Sequence, residues 1–447
     1  MIKGISSLLS TIFLTLILTP AALAQPMDPQ EANRSLELVN KPELEEEFID
    51  WGLGFFIHWS MDSQLGSVIS HSMVGASGKY LDRFINELPK SFYPEKYHPG
   101  EWMRLASLAG ARYMVLTAKH HSGFCLWDTE TTDFNIMNTP YGKDIIRSYV
   151  DACREHGLKV GFYFSPEDFW FLHKQGNLIR RRAHYANISG NPELLAHDRE
   201  QIRELLTAYG KIDVIFFDAF DNRQLVEYVH QLQPDCLVTR GEMNTPEQEI
   251  PDAPMPGPWE ACFTLGTQWQ FKPTNEHYKT GRELIEMLIN IRAKGGNLLL
   301  NLGPEPSGVI PMEQDRILRE LGLWNFVNRD AIHGTRTWPV IREGNIWITR
   351  EKDEDTVYLF LTREKPWSLG VRREFTLTHV KSTARTTITV LGQNSQVVEY
   401  NPDINPAAEF RQLPDSLIIS VVRAQRLYND RTWSNPLVVK LTDVEFR

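Results

Sequence analysis

Lys119-His120-His121-Ser122-Gly123-Phe124-Cys125-Leu126-Trp127-Asp128 follows directly on an apolar run over residues 112–117 and leads into an aromatic loop. A second apolar run, 160–164, ends in Ser165-Pro166-Glu167-Asp168, and a third, 214–217, delivers Asp218. Polar groups placed repeatedly where apolar strands stop are the mark of a (β/α) barrel with a site on its C-terminal rim. The expected fold class is therefore α/β, a TIM-like barrel.

Outward from these runs the alternation continues. Strands are expected over 51–57 (ending at His58-Trp59), 112–117, 158–164, 212–217, 236–239, 259–264 and 297–301. Helical spacing covers 101–109, 145–156, 192–210, 223–232 and 282–292, with Gly110, Gly157 and Gly210 as stop signals. Continuous apolar strands separated by helices mean a parallel sheet buried on both faces. The character changes at Thr337-Trp338-Pro339. Runs such as 346–349, 357–361, 387–391 and 417–422 then alternate with period two and carry turn residues between them. They predict a C-terminal antiparallel β-sandwich of roughly 100 residues. The expected domains are a barrel over 25–338 and a sandwich over 339–447.

The 447 residues exceed one ordinary core, in keeping with two domains. A formal net charge of −10 argues against nucleic acid or an anionic membrane as partner. Lys3, the apolar run 8–18 and Ala22-Leu23-Ala24 have the layout of a cleaved export signal over 1–24. The run is shorter than the ~20 apolar residues a membrane-spanning helix needs. A periplasmic or extracellular location is expected. The four cysteines, Cys125, Cys153, Cys236 and Cys262, fall in or beside apolar stretches without a CxxC spacing, so buried free thiols are expected.

Asp218 is the leading catalytic candidate, since it sits at a strand's C-terminal end facing the barrel mouth. Retaining hydrolysis of a glycosidic bond needs a carboxylate nucleophile and a carboxylic acid about 5–5.5 Å apart. For the acid, Glu260 is attractive because Trp259 and the apolar continuation would desolvate it and hold it protonated. Glu242, Glu247, Glu249, Glu167 and Asp168 compete. His58, His120 and His121 at strand ends suit hydrogen bonds to sugar hydroxyls. Trp59, Trp127, Tyr163, Phe169, Trp170 and Trp259 offer rings for a sugar's C–H face. Neither HxH nor HExxH occurs, and adjacent histidines on an extended chain point to opposite sides, so no metal is expected. P-loop, GxGxxG and GxSxG motifs are absent from the sequence, and no cofactor is expected.

These segments together resemble the family 29 glycoside hydrolases, the α-L-fucosidases. The resemblance is carried by Phe56-Ile57-His58-Trp59, Leu116-Thr117-Ala118-Lys119-His120-His121-Ser122-Gly123-Phe124, Gly161-Phe162-Tyr163-Phe164-Ser165, Phe216-Phe217-Asp218 and Gly296-Asn297-Leu298-Leu299-Leu300-Asn301-Leu302-Gly303-Pro304. It implies a metal-free, retaining double displacement on terminal α-L-fucosyl groups of oligosaccharides or glycoconjugates. By position Asp218 corresponds to the nucleophile and Glu260 to the acid/base, while His58, His120, His121, Tyr163 and Arg240 fall on sugar-binding positions. Three departures stand out. Phe216 replaces the tryptophan before the nucleophile, and Ile69-Ser70-His71-Ser72 replaces a Glu-Trp-Tyr segment, with His71 a candidate sugar contact. Trp269-Gln270-Phe271 stands for Trp-Gly-Tyr. A related α-L-galactosidase-like enzyme and a disarmed fucose-binding protein are the rival readings.

Overall fold

The computed structural model describes residues 40–219, 221–362, 366–427, 432–433 and 435–447. The expected export segment over 1–24 lies outside the described residues. Seven parallel strands form the first sheet: β1 (Leu53–Ile57), β2 (Tyr113–Lys119), β3 (Lys159–Phe164), β4 (Val214–Phe217), β5 (Leu237–Val238), β6 (Glu260–Thr264) and β7 (Asn297–Leu302). Nearly every strand residue is buried, as expected when both sheet faces are covered. Their spatial order is β5-β4-β3-β2-β1-β7-β6. In the centre, Gly54 pairs with Tyr113 on one side and Leu299 on the other. A Cβ at Gly54 would lie 2.3 Å from the Tyr113 ring, so only glycine lets that ring fill the interior.

The sheet curls but does not close as the expected barrel. Strands β5 and β6 are its two edges, and only single bridges span the gap, Arg240 to Met243, Asn244 to Trp259 and Glu247 to Cys262. Pro246 and Pro251 lack the N–H a ladder needs, and Gly241 adopts φ +127°. The chain here crosses the gap without becoming an eighth strand.

Helices cover the outside where periodicity predicts them: Pro99–Ala109, Ile145–Glu155, Pro192–Ala208, Arg223–Leu232 and Gly281–Ala293. Asp144 and Asn191 cap two of them through their side chains, and Thr280 with Glu283 forms a capping box. Helices Pro42–Trp51, Gly78–Asn86, Phe169–Lys174 and Met312–Asn328 were not expected. Trp51, read as a strand start, ends a helix.

The C-terminal region is antiparallel. One sheet runs Val380–Val390, Leu437–Phe446, Val357–Leu361, Ile346–Glu351, Thr335–Glu343 in spatial order, and a second runs Arg372–Leu377, Leu417–Val422, Glu409–Gln412. The change of character at Trp338 falls inside Thr335–Glu343, which already pairs with Ile346–Glu351. Arg292, wholly buried, ties the two regions together: it donates to Gly296 O at 2.7 Å, Ile332 O at 2.9 Å and Thr335 O at 3.1 Å. All four cysteines are buried and free. No helix among the described residues is long and apolar enough to cross a membrane.

Candidate functional site

The C-terminal ends of the parallel strands open onto a cavity of about 820 Å³. His58 follows β1, His120 and His121 follow β2, Asp218 follows β4, and Tyr163 and Phe216 project inward from β3 and β4. Arg240 lies just past β5. All of these line the cavity, as does His71 from the connection after β1. Strand ends of one sheet thus bring together side chains up to 182 residues apart, His58 and Arg240 being the extremes among them.

Asp218 is the electrostatic centre. Its Oδ2 accepts from the Tyr163 hydroxyl at 2.7 Å and lies 3.4 Å from His121 Nε2, while Oδ1 accepts from Arg240 Nη1 at 3.3 Å. Burial alone would raise its pKa. The hydrogen bond and charge of His121, then Arg240 and Tyr163, overcome that and hold the carboxyl well below its ordinary range. An ionised carboxylate with 24% of its side chain exposed to the cavity is ready to act as a nucleophile.

The histidines differ in role. His58 Nδ1 is 2.6 Å from Asn301 Oδ1, and Asn301 commits its amide N–H to Trp269 O. Nδ1 therefore donates. Burial depresses the ring's pKa to about 3, so it is neutral and its Nε2 lone pair is left as an acceptor. His120 Nδ1 meets Ser70 Oγ at 2.8 Å and its ring stacks on Tyr163, 5.1 Å away and 3° from parallel. Ser70 adopts φ +60°, an uncommon conformation for a serine, and its N–H donates to buried Asp62.

His120 and His121 were expected on opposite sides of an extended chain. The strand ends at Lys119 and turns, so both rings enter one cavity 4.4 Å apart. With Asp218 they are a group whose ligand atoms lie within 4.8 Å of one another. The Arg240 guanidinium already occupies the cationic position against Asp218. That charge opposes a metal ion there, and none is assigned.

Glu260 is not at the site. It is the first residue of β6, paired with Asn297 at the start of β7, and so lies at the opposite end of the strands. It is 0% exposed and accepts from Tyr113 OH at 2.6 Å. Burial does raise its pKa, only partly offset by Tyr113 and Thr239, but it does not line the cavity. Of the competing carboxylates, Glu247 and Glu249 line the cavity. Glu247 Oε2 accepts from Arg240 Nη1 at 3.1 Å, the same nitrogen that holds Asp218. Glu242 is buried against His230. Asp168 caps helix Phe169–Lys174 and, with Asp198, neutralises buried Lys119.

Trp59 and Trp127 are also displaced from their expected place. Each is 0% exposed; Trp59 donates to Glu305 O and packs on Phe92, Tyr97 and Trp102, while Trp127 donates to Glu204. The cavity's aromatic walls are instead Phe56, Phe216 and Trp269, with the Trp269 ring 4.8 Å from that of His58. Phe216 keeps an aromatic face: the Arg240 guanidinium lies 4.6 Å above it. Arg181, also in the lining, comes from an irregular loop with no periodicity to mark it.

Comparison with known proteins agrees with this architecture. The family model described as Alpha-L-fucosidase matches residues 20–330. The tissue alpha-L-fucosidase of Rattus norvegicus is 27% identical over 433 residues, covering 86% of this chain and 89% of its own. Alpha-L-fucosidase isoenzyme 1 from Paenibacillus thiaminolyticus superposes with a TM-score of 0.71 at 27% identity, covering 90% of this chain and all of that one. A Bacteroides thetaiotaomicron alpha-L-fucosidase, solved as a trapped covalent intermediate with 2-fluoro-fucosyl fluoride, has the same fold: TM-score 0.72, 21% identity, 93% of this chain and 99% of that one.

Proposed function

The chain belongs to the α-L-fucosidase family, and from that premise we propose that it removes terminal α-L-fucosyl groups from oligosaccharides or glycoconjugates with retention, Asp218 acting as nucleophile and Glu247 as acid/base. The observation that carries the assignment is the shared Arg240 nitrogen, 3.3 Å from Asp218 and 3.1 Å from Glu247. Two carboxylates on one guanidinium nitrogen are compatible with the ~5–5.5 Å separation of a retaining pair.

In the first step Asp218 attacks the anomeric carbon while Glu247 donates its proton to the leaving oxygen. Glu247 has 44% of its side chain exposed, which leaves it open to an aglycone and then to water. In the second step it takes a proton from that water, which displaces Asp218 from the sugar. Tyr163, His121 and Arg240 hold the Asp218 carboxylate in one orientation before attack, so little reorganisation is needed. Neutral His58 accepts a hydrogen bond from a sugar hydroxyl through Nε2. Phe56, Ile69, Phe216 and Trp269 supply apolar walls suited to the ring's C–H face and the methyl of a 6-deoxy sugar. Those walls favour fucose over a sugar with a hydroxyl at C6, which would need a polar partner.

The test is hydrolysis of an aryl α-L-fucoside, with α-linked fucosyl-oligosaccharides beside it. Turnover of either with an α-configured first product supports the reading. Fucose binding without turnover of any of them would favour a disarmed binding protein. We further propose export through the segment 1–24. Recovery of a protein beginning at Gln25 outside the cytoplasm would support it, and an intact N-terminus inside the cell would refute it.

A further inference from the structure

We propose that Glu167 is a positioning residue for the nucleophile: it holds His121 as a doubly protonated imidazolium whose Nε2–H is directed at Asp218. The inference rests on the reading of Asp218 as nucleophile, but its geometry stands apart from it.

Hydrogen-bond accounting leads there. Ser165 has one hydroxyl proton and two partners, Glu167 O at 2.8 Å and His121 Nδ1 at 2.5 Å. The carbonyl can only accept, so the hydroxyl proton goes to it and His121 Nδ1 must be the donor. On the other side of the ring, Nε2 is 3.4 Å from Asp218 Oδ2. A bare lone pair there would face an ionised carboxylate, whereas an N–H is attracted to it. Both ring nitrogens therefore carry protons, and the resulting charge needs counter-ions.

Two flank it. Glu167 Oε2 lies 3.7 Å from Nδ1 and Asp218 Oδ2 3.4 Å from Nε2. Glu167 is only 2% exposed, and its other oxygen, Oε1, is buried without a hydrogen-bond partner. A buried carboxylate left half unsatisfied is costly unless its charge is used. It is shared between Arg181 Nε, at 2.8 Å, and His121. The remaining neighbours do not compete for the proton. His120 and His71 pack against the ring, burial keeps both neutral, and Phe169 covers a face. Arg240 and Tyr163 bind Asp218 rather than His121. Glu167 and Asp218 are thus the two carboxylates that flank His121, with Arg181 and Arg240 ion-paired to them.

The consequence appears during turnover. When Asp218 becomes an ester its negative charge is lost, and Glu167 is then the remaining counter-ion of His121. It keeps the imidazolium charged through the covalent intermediate, so the carboxylate re-forms against a cation already in place.

The experiment pairs two readouts. Nitrogen NMR of the wild-type protein, with both histidine ring nitrogens labelled, is expected to show His121 protonated at both near neutral pH. A neutral ring there overturns the proposal whatever the enzyme hydrolyses, and needs no variant. The pH profile of kcat/KM on an aryl α-L-fucoside is then compared for wild type, Glu167→Gln and Glu167→Asp. Removing the counter-ion should lower kcat/KM on the alkaline side of the profile relative to wild type, with Glu167→Asp returning part of the loss. Coincident limbs, with folding intact by circular dichroism, would also overturn the proposal. If no fucoside is turned over at all, the functional reading fails while the NMR result still decides the state of His121.

Discussion

Asp218 and Glu247 meet at a single atom, Arg240 Nη1, at 3.3 and 3.1 Å. Arg240 thus aligns both carboxylates from one point, and their chemical roles can be told apart by where an external nucleophile attacks. In Asp218→Gly, azide should restore turnover of an activated fucoside by direct displacement and give the β-configured fucosyl azide. In Glu247→Ala, azide should intercept the fucosyl-enzyme and give the α-configured product. Without azide, Asp218→Gly is expected to lose on the order of 10⁴-fold in kcat. Product stereochemistry by proton NMR checks the assignment, and an α product from Asp218→Gly would reverse it.

Glu260 should matter for folding and not for chemistry. Glu260→Ala leaves the Tyr113 hydroxyl without its buried acceptor and should cost about 1–3 kcal/mol in urea unfolding. Glu260→Gln keeps an acceptor oxygen. The folded-state pKa of Glu260 is raised, so the stability of its protonated form is complete below the unfolded value and is lost as pH rises through the folded one. The amide has no such loss, so the Gln variant should gain on wild type as pH increases. Both variants should retain kcat/KM. A kcat collapse in folded Glu260→Gln would return this residue to the reaction.

The buried neutral histidine gives stability an acid limb. His58 has its pKa depressed to about 3 from an ordinary 6.5, so the unfolded chain binds the proton more tightly. The stability it contributes is complete above about pH 6.5 and falls away as pH drops toward 3. Between about pH 6.5 and 5 the loss should be about 2 kcal/mol. Urea unfolding of wild type and His58→Gln at several pH values checks this, the variant showing the shallower slope.

Trp59 and Trp269 separate core from cavity. Trp59→Ala should destabilise by about 3–5 kcal/mol, with kcat/KM of the folded fraction little changed. Trp269→Ala should do the converse, raising KM with a small change in melting temperature, because its ring borders His58 and the cavity. Equal effects on both properties from both variants would contradict the placement.

Gly123 is held by backbone geometry. It adopts φ +86°, and a Cβ there would lie 2.2 Å from Asp168 Oδ1, the oxygen that caps the following helix. Gly123→Ala should cost about 2 kcal/mol or more and disturb His121, whose carbonyl accepts from Phe169 N. Thermal unfolding and kcat measured together test both effects.

The strands, the outer helices that carry clear periodicity, and the rim residues His58, His120, His121 and Asp218 were determined by the sequence alone, while Arg240 was placed by the family resemblance and Tyr163 as an aromatic near its strand's end. A buried parallel strand is a local apolar run, and the residue after its last apolar position must emerge at the rim. That rule is local, so it can be applied along the chain. Applied to β6 it points to Thr264 and away from Glu260, which begins the strand.

Tertiary structure decided what depends on distant segments meeting. Glu247 reaches the cavity because Pro246 and its neighbours bridge the gap between β5 and β6 without forming a strand, so no periodicity marks it. Trp59 and Trp127 look like rim aromatics until Glu305 and Glu204 claim their indole N–H groups in the interior. Ser165, Glu167 and Asp218 converge on His121 from two different strand ends. Burial and protonation depend on the summed surroundings of a group, and those surroundings exist only once the sheet has curled.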